Sequence, residues 1–382
     1  MKILIVAGDS PYPANHGGRV DIFERLKVIS KTYGRENIDI IITGNELTTE
    51  TNKELKKYCH GILVSPRNTG ISATLSLTPF QGKSRASLKD LTPLRDQYDI
   101  MILEGDYVFP ILDNPRINCK TPLLRSHNIE SKYFYNLFKA DTTWRKIFYL
   151  SESIKFYIQE KRETYKNIKK LYISKKENQI HGNKEYWLPT PVDVDGILER
   201  TTFPQGEDVL YIGSLFMPNN IFGLRWYLEK VHPTIESSLP NYRLHIAGNT
   251  RDHEITWLKN YKNIEIYPNA SDEMLESLYN KCSLFVSPIF HGAGVKIKNI
   301  NALASGIPVI TTTVGNEGTG LSPKHHIFIS DTPENFINTT IRLLTQKQEA
   351  YQHLQAAQNF IKEHYAAQRI SHYIEQTTSS KA

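Results

Sequence analysis

The densest grouping of residues able to do chemistry is His291-Gly292-Ala293-Gly294-Val295-Lys296-Ile297-Lys298. Glycines let the backbone approach a ligand, the amides of a starting helix point at it, and two lysines add positive charge. Together these suit a diphosphate. The i, i+2 spacing cannot place Lys296 and Lys298 on one helix face, so one of them belongs to the turn. Lys296, nearer the glycines, is the stronger candidate. The plainer alternative is a strand-to-helix turn with exposed lysines. Asp193 and Asp195 follow Pro189 and Pro191, and two carboxylates at strand spacing are usually solvated, so no metal site is assigned.

The elements that must position these residues are legible as apolar runs alternating with amphipathic stretches, the pattern of parallel sheets covered by helices. The class is α/β. Strands are expected at 3–7, 38–43, 62–64, 100–103, 122–125 and 171–174. After the prolines the pattern restarts, with strands at 209–213, 244–247, 264–267, 284–287, 308–312 and 327–330. Helices are expected at 20–33, 224–231, 272–280, 297–304 and 334–344, and a last helical stretch at 346–377. Each half reads as Rossmann-like, and such sheets bind ligands at the carboxyl ends of their strands. The expected domains are 1–190, 191–350 and a closing helical segment, 351–382.

The composition fits an ordinary soluble chain of 382 residues, 40% apolar and 23% charged. No apolar run approaches the roughly 18–20 residues of a membrane span, and the first run is too short for a signal peptide, so a cytoplasmic protein is expected. Cys59, Cys119 and Cys282 have no ligand spacing and read as free thiols. The net charge of +6 is unevenly placed: from Lys139 to Lys184 there are 12 basic residues against 5 acidic ones. Seven aromatics, Trp144 and Tyr157 among them, are interleaved there. That mixture suits an anionic membrane surface or nucleic acid, or else a solvated helical face with its aromatics turned inward.

Gly-x-Gly-x-Lys-x-Lys over 292–298, then Ala302-Leu303-Ala304-x-Gly306-x-Pro308-Val309 and Gly315-Asn316-Glu317-Gly318, resembles the donor-site region of family 4 glycosyltransferases of the GT-B fold. The likeness extends to Tyr211-Ile212-Gly213-Ser214, Pro218-Asn219-Asn220 and Ile246-Ala247-Gly248-Asn249. In the N-terminal half, Pro11-Tyr12-Pro13 with His16-Gly17-Gly18-Arg19, and Arg125-Ser126-His127-Asn128-Ile129-Glu130, resemble two further signatures of the family. The resemblance covers about residues 1–375. It implies two Rossmann-like domains facing each other across a cleft, and a last helix that crosses back to the first domain.

It also implies a nucleotide-sugar donor, no cofactor and no metal, and transfer of the sugar with retention to a saccharide or lipid-linked acceptor. Lys296 and Lys298 would neutralise the leaving diphosphate. Gly17 and Gly18, at a helix start, would hold a phosphate oxygen or let the acceptor approach, with Arg19 assisting. His127 would hydrogen-bond hydroxyls of the transferred sugar, or else be a satisfied core histidine; Glu130 reads as a helix-start residue. Gly213, Ser214, Asn219, Gly248, Gly292 and Gly294 complete the donor set. Relatives commonly carry two glutamates here, the second on the ribose; that position is Asn301 in this chain, and eight residues earlier stands Ala293. Glu317 could compensate. The basic segment would dock on a membrane if the acceptor is lipid-linked, and nucleic acid is not an expected partner. The alternatives are a sugar-nucleotide epimerase and a non-catalytic sugar-nucleotide-binding subunit, the latter suggested by Asn301.

Overall fold

A computed structural model describes the chain except residues 15–16, 75, 182–185, 199–203, 205, 252, 293 and 380–382. His16, Lys184 and Ala293 of the sequence reading therefore lie outside the described residues. The chain forms two compact units, Met1–Pro191 with Ala367–Ala382, and Val192–Ala366.

The first unit is built on seven parallel strands: β1 (Ile3–Ala7), β2 (Ile38–Thr43), β3 (Gly61–Ser65), β4 (Gln97–Glu104), β5 (Asn118–Ser126), β6 (Lys169–Tyr172) and β7 (Tyr186–Trp187), in the order β3-β2-β1-β4-β5-β6-β7. β1 is buried along its whole length, as expected where helices cover both faces of a parallel sheet. Phe23, Leu26 and Ile29 of helix Gly17–Tyr33 cover one face, joined by Ile370, Tyr373 and Ile374 from the C-terminal segment. Leu88, Val108, Ile111 and Tyr165 cover the other.

The second unit has six parallel strands: β8 (Asp208–Ile212), β9 (Arg243–Gly248), β10 (Ile264–Pro268), β11 (Leu284–Ser287), β12 (Val309–Thr311) and β13 (Phe328–Ile329), in the order β10-β9-β8-β11-β12-β13. Its core joins Leu224, Tyr227 and Leu228 of helix Pro218–Lys230 to Phe336 and Leu343 of helix Pro333–Thr345. In both sheets the order reverses once, between β1 and β4 and between β8 and β11. Ligands collect at such a switch point, outside the strand carboxyl ends.

Three expectations need correction. β5 begins four residues before the expected 122, because the polar Asn118 and Cys119 pair with Gln97 and Tyr98 of β4 and so extend a ladder that an apolar pattern does not mark. The stretch 346–377 is two helices, Lys347–His364 and Gln368–Ser379. Tyr365 fixes the break: its hydroxyl donates to the Thr319 carbonyl at 2.7 Å and its own carbonyl accepts from the Val192 amide at 3.0 Å. Residues 351–366 accordingly belong to the second unit, where Gln358 Nε2 donates to the Leu198 and Leu303 carbonyls, and the chain joins the first unit only from Ala367.

Candidate functional site

At the β8/β11 switch point of the second unit, three loops converge. Gly213 follows β8, and a Cβ on Gly248 would stand 1.8 Å from the Gly213 carbonyl oxygen, so Gly248 lets the two strand ends approach. Helix Pro218–Lys230 opens with Pro218 in its first turn, which places Asn219 and Asn220 beside the third loop. There Gly292 and Gly294 take φ of +103° and +83°, conformations that favour glycine, and the Asn219 side chain lies against Gly292.

Lys296 stands at the cap of helix Ile297–Ala304 and Lys298 in its first turn, so the loop divides the two as their spacing requires. Lys296 Nζ donates to the carbonyls of Gly292 at 3.1 Å and Gly294 at 2.6 Å. Lys298 Nζ donates to the Ile212 carbonyl at 3.0 Å and to Asn220 Oδ1 at 3.3 Å, over the Tyr211 ring at 5.0 Å. Asn220 Nδ2 in turn donates to the Ser214 carbonyl. Burial pulls Lys296 down to about 8, opposed by the negative charge of Glu317. Burial pulls Lys298 to about 7, and the charge of Lys296 adds to the effect. Two lysines that donate to neutral carbonyl and amide oxygens at a helix N-terminus form a positive socket of the kind that suits an anion. Each lysine has two oxygen acceptors, so Lys298 is engaged alongside Lys296.

Asn301, one turn further along the helix, is exposed and lines a separate cavity of about 500 Å³ with Asp193, Asp272, Glu276 and Tyr279. A glutamate there would be one more carboxylate among three.

At the β1/β4 switch point of the first unit, Gly17 opens helix Gly17–Tyr33, as the glycine pair suggested. Arg19 is engaged locally: its Nε and Nη2 donate to Asp9 Oδ2 at 3.0 and 2.6 Å. Beneath lies a fully buried ion network. Asp21 accepts from Arg25 at 2.7 Å, from Arg125 at 2.6 Å and from the Thr190 hydroxyl at 2.8 Å, and Arg25 reaches Glu104 at 2.5 Å. Burial opposes ionisation of Asp21, but the Arg125 and Arg25 guanidinium groups hold its carboxyl well below the usual range. His127 sits on this network, its Nε2 3.3 Å from Asp21 and 3.6 Å from Glu104 without the alignment of a hydrogen bond. Asp21, Glu104 and His127 are spaced as metal ligands could be. The two carboxylates are already balanced by two arginines, so a cation would have to displace a guanidinium.

Glu130 does open helix Glu130–Ala140, yet it is buried, and burial together with the charges of Asp106, Glu177 and Glu160 holds it well above its ordinary value. The first amides of that helix are taken by Glu177 and Glu160. A neighbouring cavity of about 210 Å³ is lined by Lys83, Lys89, Asp106 and Arg162. Burial and Glu160 push Asp106 up to about 7. Sequence reasoning missed Asp21, Arg25 and Glu104, and it named Asn220 only within a motif, without a role. Only Asp21 and Arg25 left a signal, as an i, i+4 pair on the apolar side of an amphipathic helix.

The model of the family described as Glycosyl transferases group 1 matches residues 206–346. A Klebsiella pneumoniae protein described as an uncharacterized 44.6 kDa protein in the cps region is 34% identical over 388 residues, covering 97% of each chain. Among solved structures, Anabaena HepE in complex with UDP and glucose matches with a TM-score of 0.65 at 12% identity over the full length of both chains. TarM matches with a TM-score of 0.69 at 13% identity over 99% of each. Sucrose-phosphate synthase from Thermosynechococcus elongatus matches with 0.66 at 12% identity, over 100% of this chain and 99% of the other. These likenesses show the fold, which is GT-B and α/β.

Proposed function

Because the chain belongs to the group 1 glycosyltransferases, we propose that it transfers a sugar, with retention and without a resident metal or cofactor, from a nucleoside-diphosphate sugar to a saccharide carried on a lipid, during assembly of a cell-surface polysaccharide. The observation that carries this reading is the pair of half-buried ammonium groups of Lys296 and Lys298, which donate to neutral oxygens at a helix N-terminus and a sheet switch point. Breaking the bond from sugar to phosphate builds negative charge on the leaving diphosphate. Cations already fixed in a partly dehydrated socket stabilise that charge without reorganising. The bound diphosphate would restore the full charge of both lysines. No divalent ion is then required to neutralise the leaving group.

His127 is assigned to a sugar hydroxyl. Its Nε2 stands 3.3 Å from Asp21 and 3.6 Å from Glu104 and its side chain is 14% exposed, so the carboxylates hold the ring while part of it stays reachable by a substrate. Gly17 and Gly18 supply the amides of a helix start for the substrate handled by the first unit, and Arg19 braces the loop after β1 rather than contacting phosphate. A role in cell-surface polysaccharide assembly is supported by the cps-region relative; the lipid-linked form of the acceptor, met at the cytoplasmic face of a membrane, is part of the proposal. Among the described residues no helix is long and apolar enough to cross a membrane.

A screen of nucleotide sugars by mass spectrometry, for hydrolysis and for transfer to lipid-linked saccharides, tests the proposal beside Lys296→Ala and Lys298→Met. Loss of turnover in both variants with the true donor supports it. Turnover equal to the parent in both overturns the phosphate assignment. A second reading, a non-catalytic binding subunit, is favoured by the exposed Asn301, and it gains if a nucleotide sugar binds but nothing is transferred.

A further inference from the structure

Helix Arg145–Glu160 in the first unit packs Phe148, Tyr149 and Phe156 inward yet also carries an apolar outward face. Of the residues it buries, Glu152, Ser153, Phe156 and Gln159, three are polar. Those it exposes are Arg145, Lys146, Ile147, Ile154, Tyr157 and Ile158, every one apolar, aromatic or cationic. Ile147, Ile154 and Ile158 fall on one stripe at i, i+7 and i+11. Trp144, just before the helix, is 78% exposed and Ile147 is 70% exposed. Leu77, 93% exposed, belongs to the neighbouring segment whose Thr74 carbonyl accepts from Lys155. Both acids of the helix are turned away from this face: Glu152 accepts from the Phe80 amide and Lys155, and Glu160 from Ser131. At the helix end, Lys161 lies over the Tyr157 ring at 4.9 Å, and Lys161 and Arg162 are exposed.

Resting on the reading of a lipid-linked acceptor, we propose that this face docks the protein on an anionic lipid bilayer, with Trp144, Ile147, Ile154, Tyr157 and Ile158 entering the headgroup boundary and Arg145, Lys146, Lys161 and Arg162 meeting lipid phosphates. An interfacial helix needs an apolar strip flanked by cations and amphipathic aromatics, and this helix presents that combination outward, where water alone would favour the reverse. Cations at both ends disfavour pairing with a second copy and favour an anionic partner. The proposal also narrows the basic segment. Lys170 is buried on β6 and lies over the Tyr165 ring at 4.7 Å, and Lys166 is 3.1 Å from Glu163, so the region from Lys139 to Lys184 is not one continuous patch.

The test is flotation of the full chain with pure phosphatidylcholine vesicles and with vesicles of equal parts phosphatidylcholine and phosphatidylglycerol. The parent is expected on the mixed vesicles, with a blue shift of Trp144 fluorescence that Trp144→Phe removes. Lys146→Gln with Lys161→Gln should weaken partitioning by about 30-fold at roughly 1 kcal/mol per cation, and should leave pure phosphatidylcholine binding unchanged. Ile147→Ser with Ile154→Ser should weaken binding to both. A thermal shift with a nucleoside diphosphate should be the same in all variants, which shows that they fold. Vesicle binding absent in the parent, or indifferent to both double variants, overturns the proposal. So does an effect of the isoleucine variant on oligomeric state by light scattering with none on lipid, which would make the face a protein interface. Failure of sugar transfer with vesicle binding intact would count against the proposed reaction and leave the docking face standing.

Discussion

Replacing Lys298 by methionine should make the second unit relatively more stable at low pH while it loses the diphosphate. A lysine held near 7 against an ordinary 10.5 disfavours the folded state, because folding must bury its charge. The cost is fully present below pH 7, where the group is charged in both states, and it fades as pH rises toward 10.5, where it is neutral in both. At about 1.4 kcal/mol for each pH unit, the upper limit is about 5 kcal/mol at pH 6 and about 2 kcal/mol at pH 9. The stability difference between Lys298→Met and the parent should therefore move in the variant's favour by up to about 2–3 kcal/mol on going from pH 9 to pH 6. For a unit of this size that is several degrees in Tm, at roughly 2–4 °C per kcal/mol. The hydrogen bonds lost to Ile212 and Asn220 act at both pH values and largely cancel in this difference. The same variant should weaken nucleoside-diphosphate binding by about 10- to 100-fold, the worth of one charge-assisted hydrogen bond at about 1.5–3 kcal/mol. Scanning fluorimetry at both pH values, with and without the nucleotide, reads both effects. A Tm difference independent of pH, or a nucleotide shift equal to the parent's, would refute the reasoning.

Asp21→Asn should destabilise the first unit by about 3–5 kcal/mol in thermal or urea unfolding, since it leaves Arg125 buried without its counter-charge. Because the Asp21 carboxyl is held well below 3.8, the parent's advantage should persist from neutral pH to about pH 4 and shrink below it. His127→Ala should cut sugar transfer by at least about tenfold while nucleoside-diphosphate affinity by calorimetry stays unchanged; equal loss in both would place His127 in the scaffold. Gly248→Ala should cost more than about 2 kcal/mol in Tm-derived stability, because its Cβ would meet the Gly213 carbonyl oxygen, which is backbone and cannot rotate away. Raising pH from 6 to 9 should weaken nucleoside-diphosphate binding to the parent, since Lys296 near 8 and Lys298 near 7 must take up protons to meet the anion.

Much of the fold was legible because parallel strands buried on both faces are written as short apolar runs. The bounds of β1, β2, β11 and helix Ile297–Ala304 follow directly from such runs. The glycine-rich loop was legible for a different reason: glycines at Gly292 and Gly294 are demanded by local backbone geometry, and local geometry is encoded locally. β7 was not legible, since two residues carry no period and Tyr186 and Trp187 are strand only because Leu171 and Tyr172 stand beside them. Nor was the start of β5, which its neighbour β4 defines.

By itself the sequence determined two α/β halves, a glycine-rich turn with two lysines at a helix start, and an uneven charge. Those features depend on near neighbours in the chain, through periodicity, propensity and net charge. Tertiary structure alone decided that Lys298 rests on Ile212 and Asn220, 86 and 78 positions away, and that His127 stands on carboxylates from Asp21 and Glu104. It also decided that helix Arg145–Glu160 turns its isoleucines outward and its acids inward. Burial, desolvation and pairing depend on which residues the fold brings together across long stretches of chain, and composition and spacing do not record that.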